Sequence, residues 1–311
     1  MPGRIVCIGQ LVADILVKPV DRLDYAFDTT TVEHIAVRNG GDAMNTAVAL
    51  AKLGNDVGFI GRVGRDLMGQ YLRSVLENAG IDAGGLSEDP VAGTSTCLVL
   101  INRAAERAFF YYGGANSCLT ASDVPPAVLE GASIVHVGGT FLLPGFDGEG
   151  AAQIFEAAHQ QGCLTSMDVT FDPSGKWLDT IRPCLRHLDY FLPSYNEASR
   201  IARTENLADI VWILKNEGVK NIIVKLGAKG CYVHTGSEEF EVPAFNVPVV
   251  DTTGAGDCFV AGFLTGLNQK LPLQECAMIG CASAAFCIGA LGATENVRSY
   301  AEIRQLIDNR F

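Results

Sequence analysis

Strand-like runs alternate with helical runs along almost the whole chain of 311 residues. Near the start, Arg4–Gly9 has the pattern of a short strand, Ala43–Leu53 that of a helix, and Val57–Val63 that of the next strand. Further strand-like runs lie at 133–138, 164–169, 190–192, 221–225, 231–235 and 240–250, and further helical runs at 67–78, 149–161, 207–217, 256–268, 273–290 and 299–309. Such alternation predicts a mostly parallel sheet covered by helices on both faces.

Two stretches, residues 12–38 and 94–113, interrupt this alternation with short β-rich runs. The runs are Ile15–Val20 and His34–Arg38 in the first stretch, and Thr96–Ile101 and Arg107–Tyr112 in the second. We expect them to form a small sheet that projects from the main domain as a lid, or else irregular edge strands of the main sheet. No repeat or linker divides the sequence, which predicts a single domain over residues 1–311 with two lid segments inserted.

Composition narrows the classes of function. With a net charge of −12, the chain is a poor partner for nucleic acid or an anionic membrane, but backbone N–H groups can still build a phosphate site. No signal peptide opens the chain and no apolar run approaches the ~20 residues of a membrane span, so we expect a cytoplasmic protein. The ten cysteines form no CxxC pair, which indicates buried thiols rather than a metal site or disulfides.

Residues 251–257 read Asp-Thr-Thr-Gly-Ala-Gly-Asp and run directly into an apolar stretch, Cys258–Leu264. This pattern predicts a glycine loop that opens a helix, where free N–H groups and the helix dipole favour an anion. Asp257 would lie beside those N–H groups and would be able to accept a proton. An anion site next to a general base is what phosphoryl transfer to a hydroxyl requires, although an ordinary capped helix start would use the same residues.

Other motifs accompany this loop. They are Gly-Gly-Asp-Ala-Met-Asn at 40–45, Gly-Arg-Val-Gly-Arg-Asp-Leu-Met-Gly at 61–69, Gly-Ala-Asn at 114–116, Pro-Ser-Tyr-Asn-Glu at 193–197 and Lys-Leu-Gly-Ala-Lys-Gly at 225–230. In this order and at these separations, the set closely resembles the ribokinase family of carbohydrate kinases, also called the phosphofructokinase-B family, over nearly the whole chain. The resemblance implies an α/β fold, a three-layer α/β/α sandwich with a mostly parallel central sheet and a small β-sheet lid.

For catalysis, the resemblance implies that Asp257 takes the proton of the sugar hydroxyl. The backbone of Gly254, Ala255 and Gly256 would form the anion hole for the transferring phosphoryl group, in which positioning and electrostatics do most of the work. The residues implied for a possible K⁺ site near this hole are Asp251, Thr253, Gly292 and Asn296.

For the cofactors, the resemblance implies ATP and Mg²⁺ in the second half of the chain. Adenine would lie near 244–249 and 281–285, and the residues implied for nucleotide binding are Ser194, Lys225, Gly227, Gly230 and Cys281. Cys281 stands where relatives usually carry Asn or His. Glu197 would order Mg²⁺ through water, although Ser194 stands where the family usually has Asn; Mg²⁺ keeps several waters and needs few protein ligands.

For the acceptor, the resemblance implies a site across the strand ends. The residues implied for substrate binding are Asp14, Gly40, Gly41 and Asn45, with Arg107 as a further candidate from the lid. Glycines let a hydroxyl approach the backbone, and the carboxylate and amide orient neighbouring hydroxyls. Arg38 and Asp42 flank the same site, and Asp42 stands where some relatives have Lys, which would change the sugar accepted.

The motifs and the resemblance together predict an ATP-dependent kinase that phosphorylates a hydroxymethyl group of a monosaccharide or sugar acid. The resemblance also implies a homodimer formed through the lid. A nucleoside kinase is an alternative that needs an aromatic platform; Phe109–Tyr112 supplies aromatics, but strand alternation would bury about half of them. A fructose-phosphate kinase would need several basic residues near the acceptor. A non-catalytic sugar-binding protein on this scaffold is the other alternative, and the presence of Asp257 argues against it.

Overall fold

The predicted alternation is realised as a large sheet with helices on both faces. The computed structural model describes residues 2–23, 29–104 and 106–309. Its strands are β1 (Arg4–Gly9), β2 (Val12–Lys18), β3 (His34–Gly40), β4 (Val57–Gly64), β5 (Asp82–Asp89), β6 (Thr96–Ile101), β7 (Arg107–Tyr112), β8 (Ala132–Thr140), β9 (Leu164–Val169), β10 (Tyr190–Phe191), β11 (Asn221–Lys225), β12 (Cys231–His234) and β13 (Glu239–Val242). Its α-helices are α1 (Asp42–Lys52), α2 (Leu67–Asn78), α3 (Glu149–Gln160), α4 (Leu178–Leu185), α5 (Tyr195–Ala202), α6 (Leu207–Asn216), α7 (Ala255–Asn268), α8 (Leu273–Cys287) and α9 (Tyr300–Asp308).

Within the described residues, the large sheet has the strand order β13-β12-β11-β10-β9-β8-β1-β4-β5. The strands from β11 to β5 pair in parallel, whereas β12 and β13 pair antiparallel. Successive side chains of β1 enter opposite cores, because Ile5 and Cys7 pack on one face and Val6 and Ile8 on the other. A parallel sheet buried on both faces in this way confirms the predicted three-layer architecture.

The two interrupting stretches form a separate small sheet with the strand order β3-β2-β6-β7. Strands β2 and β6 run parallel at its centre, and β3 and β7 flank them antiparallel. In the part of the chain that the structure describes, these strands pair with one another and not with the large sheet, which confirms a separate small sheet rather than edge strands. Residues 24–28 of the first predicted lid segment, and residue 105 of the second, lie outside the described residues.

The expectation that about half of the aromatic side chains at 109–112 would be buried is wrong. Phe109, Phe110, Tyr111 and Tyr112 are 63%, 53%, 38% and 55% exposed. They lie on β7, an edge strand of a four-stranded sheet, and neither side of this strand is covered well enough to bury a ring.

Several elements differ from the sequence-based expectation. The strand-like run 240–250 leaves the sheet after Val242, since Pro243 and Pro248 cannot donate to a ladder. Helix α8 was predicted to run to residue 290 but ends at Cys287. The alternation pattern overlooked β5, whose Gly84 and Gly85 are poor strand formers, and the two short helices α4 and α5.

Among the described residues, no helix combines the length and apolar character needed to cross a membrane. All ten cysteines are free thiols, and Cys118 is the one that is exposed.

Candidate active site

The starts of α1 and α7 and the end of β11 converge at the carboxyl edge of the large sheet. The amide of Asn45 on α1 bonds the carboxylate of Asp257 on α7. At the end of β11, Lys225 lies beside the first turn of α7, where a Cβ on Gly256 would be 3.2 Å from Lys225 Nζ. Clefts at this edge of a parallel sheet are where α/β proteins bind their ligands.

Backbone geometry explains the glycines of the 254–256 loop. Gly254 has a φ of +74°, and a Cβ there would lie 2.5 Å from the carbonyl oxygen of Ala293, so a larger residue would be strained and would clash. The N–H of Ala255 donates to the carbonyl of Thr252 at 3.2 Å and is therefore already engaged. The N–H groups of Gly254 and Gly256 are the ones left for an anion at this helix start.

Asp257 is a buried carboxylate, 8% exposed, in the first turn of α7. Asn45 Nδ2 donates to its Oδ2 at 2.9 Å, and Asn39 Nδ2 donates to Asn45 Oδ1 at 3.1 Å. Burial raises the pKa of Asp257 to about 7; the hydrogen bond from Asn45 opposes this rise, and the negative charge of Asp168 adds to it. A carboxylate with a pKa near neutrality is suited to accept a proton from a hydroxyl.

Lys225 forms a buried ion pair that the sequence reasoning missed. Its Nζ lies 2.5 Å from Asp168 Oδ2, and the two side chains are 12% and 5% exposed. Burial works against the charge, but the carboxylates of Asp168 and Glu197 hold the pKa of Lys225 above its ordinary value. The signal available in the sequence was the aspartate near the end of the strand run 164–169, because a buried carboxylate in a strand requires a partner.

Asp42, the first residue of α1, also faces this group. Burial and the negative charges of Asp257, Asp168 and Glu197 raise the pKa of Asp42 well above its ordinary value. The sequence placed Asp42 only at the edge of the acceptor site. The structure places it among the carboxylates next to the proposed general base.

Ser194 and Glu197 form a capping box at the start of α5. Glu197 Oε2 accepts from the Ser194 N–H at 2.7 Å, and Ser194 Oγ accepts from the Glu197 N–H at 3.3 Å. Thus Ser194, at the position of the family's Asn, acts here as a helix N-cap. Among the described residues, no group of three or more His, Cys, Asp or Glu side chains is arranged to hold a metal ion.

The predicted acceptor residues lie together where β2 meets the start of α1. A Cβ on Gly40 would lie 2.1 Å from Asp14 Oδ2, and a Cβ on Gly41, whose φ is +89°, would lie 2.7 Å from the carbonyl oxygen of Gln10. Burial raises the pKa of Asp14 to about 7. Gln10, which the sequence reasoning did not select, donates to the Tyr111 hydroxyl at 3.1 Å and so joins β7 to this cluster. We call Asp14, Gly40, Gly41 and Asn45 the acceptor cluster.

A cavity of about 540 Å³ brings together most of the predicted nucleotide residues. Lys225, Gly227, Gly230 and Cys281 line it, together with residues 244–247 and 249, and Ala255 and Gly256 lie at its wall. Gly230 is required by close packing, since a Cβ there would lie 2.0 Å from the Val242 carbonyl oxygen. Ser194 is not part of this wall. The cavity thus reaches from the predicted adenine site to the 254–256 loop.

Of the residues predicted for K⁺, Asp251 and Thr253 are both bound by the guanidinium of Arg107. Arg107 Nη2 is 2.6 Å from Asp251 Oδ1, and a second guanidinium nitrogen bonds Thr253 Oγ1. Burial opposes the shift, but the hydrogen bonds from Arg107, Thr253 and Gly292 lower the pKa of Asp251 to about 2. Arg107, expected to contact the acceptor, therefore contacts this loop, and the amide of Asn296 donates to the Phe286 carbonyl at 2.5 Å.

Comparison with known proteins gives consistent matches. Residues 3–299 match the family described as pfkB family carbohydrate kinase. The chain is 29% identical over 284 residues to fructokinase-1 of Zea mays, covering 86% of this chain and 88% of that protein. It matches the solved structure of Arabidopsis thaliana ribokinase complexed with ribose and ATP with a TM-score of 0.88, 25% identity and 99% coverage of both chains. A nucleoside kinase from Methanocaldococcus jannaschii has a TM-score of 0.80 at 23% identity with 99% coverage of both chains, and shows the fold alone.

The family match covers almost the whole chain, and the relatives and solved structures cover it to a similar extent. Such enzymes transfer a phosphoryl group to an alcohol. The chain belongs to the pfkB family of carbohydrate kinases.

Proposed function

We propose that the protein is an ATP-dependent sugar kinase that transfers the γ-phosphoryl group of ATP to a hydroxymethyl group, with Asp257 as the general base. One observation carries this proposal. Asp257, with a pKa near 7, bonds Asn45 of the acceptor cluster at 2.9 Å and lies in the same helix turn as Gly256, at the wall of the large cavity. The proposed general base therefore lies next to both the acceptor cluster and the part of the cavity wall proposed to bind phosphate.

In the proposed reaction, the hydroxyl of the acceptor lies between Asn45 and Asp257, and Asp257 takes its proton as the new O–P bond forms. The N–H of Gly256 and the ammonium of Lys225 stabilise the negative charge on the transferring phosphoryl oxygens. Glu197 is the residue that would hold Mg²⁺ through water, and the ion would supply further neutralisation of phosphate charge.

The charges around the acceptor cluster favour a neutral sugar over a sugar acid. Arg38, opposite Asp14 in the β2–β3 pairing, faces Glu295 at 3.3 Å, and Arg107 faces Asp251. A carboxylate or phosphate on the acceptor would need a cation that is not already paired. Because the Zea mays relative is named a fructokinase, fructose is the first acceptor to test.

A nucleoside acceptor is the second candidate, and the exposed aromatic row on β7 favours it. Tyr111, 38% exposed, touches Gln10 next to the acceptor cluster, and an aromatic ring there would stack with a base. The fold does not distinguish the two acceptors, since one solved structure of this fold is a nucleoside kinase.

The test is an ADP-release assay with ATP and Mg²⁺ against hexoses, pentoses, sugar acids, sugar phosphates and nucleosides. Turnover of a neutral sugar that disappears in Asp257→Asn would support the proposal. Turnover of nucleosides alone would select the second candidate. If no compound in the panel caused ADP release while ATP still bound, the result would contradict catalysis and favour a sugar-binding protein on this scaffold.

We also propose a homodimer through the small sheet. Strand β7 is an edge strand and its four aromatic side chains are exposed, so pairing with a second copy would cover both. Light scattering with size-exclusion chromatography tests this, and Phe110→Ser should yield monomers if β7 forms the interface.

A further inference from the structure

The salt bridge between Arg107 and Asp251 joins the small sheet to the loop that leads into the 254–256 turn. This inference rests on the proposed function, because it concerns the charge next to the phosphoryl site. Arg107 Nη2 lies 2.6 Å from Asp251 Oδ1, with side-chain exposures of 29% and 6%. A second guanidinium nitrogen bonds Thr253 Oγ1. The guanidinium thus contacts two of the residues that the family resemblance implies for K⁺.

Four protein donors bind the carboxylate of Asp251. Its Oδ1 accepts from Arg107, from the Thr253 N–H at 2.9 Å and from Thr253 Oγ1 at 2.8 Å. Its Oδ2 accepts from the Gly292 N–H at 3.0 Å. Three of these four donors share Oδ1, so a cation that bound this oxygen would compete with Arg107.

Other donors approach three of the carbonyl groups around the loop. Cys287 Sγ lies 3.3 Å from the Thr253 carbonyl oxygen and 3.2 Å from that of Ala293. The ammonium of Lys52 donates to the Thr294 carbonyl at 2.6 Å. A large cation such as K⁺ binds through several oxygens, and at Asp251 Oδ1 it would have to displace the guanidinium of Arg107, which also holds Thr253 Oγ1.

We propose that Arg107 takes the place of the monovalent cation. Its guanidinium neutralises Asp251 and holds the loop at Thr253, so that the buried carboxylate does not oppose the negative charge that develops at the neighbouring phosphoryl group. Arg107 is in this sense a positioning residue, and the enzyme requires no K⁺. Because Arg107 belongs to β7 of the small sheet, the phosphoryl end of the site is complete only when β7 lies against the 251–253 loop.

The experiment compares wild type with Arg107→Met and Arg107→Lys in potassium and tetramethylammonium chloride at equal ionic strength. Turnover is measured by ADP release, and melting temperature is measured without substrates. The matched control is Arg103→Met, because Arg103 lies in the same hairpin but pairs with Asp21 and Glu33 away from the loop.

Wild type and Arg103→Met should show the same turnover and melting temperature in both salts. Arg107→Met should lose at least about tenfold in turnover in tetramethylammonium and recover severalfold in potassium, with a potassium-specific rise in melting temperature. Arg107→Lys keeps a positive charge and should respond to potassium less than Arg107→Met does.

Activation of the wild type by potassium would overturn the proposal, as would an Arg107→Met variant with normal turnover. Equal impairment of Arg107→Met in both salts would also overturn it, and a raised KM for the acceptor would then assign Arg107 to substrate binding. If no acceptor is turned over by the wild type, the proposed function fails, while the substrate-free melting temperatures still decide whether Arg107 replaces the cation.

Discussion

At the cavity end of the site, residues from one stretch of the chain form the wall, whereas the acceptor cluster combines two glycines with polar side chains from the small sheet and from α1. Lys225, Gly230 and Cys281 line the cavity within a segment of about sixty residues. Asp14 belongs to the small sheet, Asn45 to α1, and the nearby Tyr111 to a strand far along the chain. In the proposed reaction, the cavity end would bind the nucleotide that kinases of this kind share, and the acceptor cluster would bind the acceptor, which differs between them.

The largest loss of turnover should come from changing Asp257, which lies between the cavity end of the site and the acceptor cluster. Asp257→Asn keeps the volume and the contact with Asn45 but cannot accept a proton, so turnover should fall at least about a hundredfold while ATP still binds. Steady-state kinetics and ATP titration measure both. Asp147→Asn is the control, because burial also raises the pKa of Asp147 to about 7, yet its carboxylate bonds the backbone of Phe141 and Leu143. Near-normal turnover in Asp257→Asn would remove Asp257 from the mechanism.

A smaller loss should follow from disturbing the buried ion pair at the cavity end. Lys225→Met removes a positive charge beside Gly256, and we expect turnover to fall at least about tenfold with an unchanged KM for the sugar. Asp168→Asn should reduce turnover less than Lys225→Met does, because the lysine remains and loses only its ion-pair partner.

The control for that pair is Asp189→Asn. Asp189 lies 2.6 Å from Lys220 Nζ, but it precedes β10 and therefore lies at the opposite edge of the sheet from Asp168. If Asp189→Asn reduced turnover of the folded enzyme as much as Asp168→Asn, general destabilisation and not the position of Lys225 would explain the loss.

At the acceptor end, Asp14→Asn should act on binding rather than on chemistry. Losing a charged acceptor for sugar hydroxyls should raise the KM of the sugar about tenfold and leave that of ATP unchanged. Initial rates at varied concentrations of each substrate distinguish the two. A raised KM for ATP with an unaltered KM for sugar would reverse our placement of the two ends.

The same substitution should slightly stabilise the protein at alkaline pH. Burial raises the pKa of Asp14 to about 7, so between its ordinary pKa and 7 the folded state binds a proton that the unfolded chain has released, and stability falls as pH rises through this window. Asparagine does not titrate. Asp14→Asn should therefore melt at least about 2 °C above wild type at pH 8, with a smaller difference at pH 5; an equal difference at both values would exclude this origin.

The same contrast explains how far the sequence could predict the molecule. Local patterns predicted the large sheet and the 251–257 turn, because alternation and glycine spacing depend on neighbours in the chain. The packing of separate strands and helices decides three features that the sequence did not predict. They are the ion pair of Lys225 with Asp168, the position of Asp42 among the carboxylates and the contact of Arg107 with Asp251. The aromatic side chains of β7 were misjudged for the same reason, since alternation predicts two faces but not whether another layer covers either one.

The way the small sheet enters the chain has a consequence for how acceptor preference can change over time. Its strands are inserted at two points, β2 and β3 between β1 and α1, and β6 and β7 between β5 and β8. Since they share no ladder with the large sheet within the described residues, substitutions or exchanged hairpins there would leave the nine-stranded scaffold paired as before. Descendants of such a chain could therefore explore new acceptors by altering these two inserts, while the large sheet keeps the rest of the phosphoryl-transfer machinery, provided that Arg107 on β7 is retained.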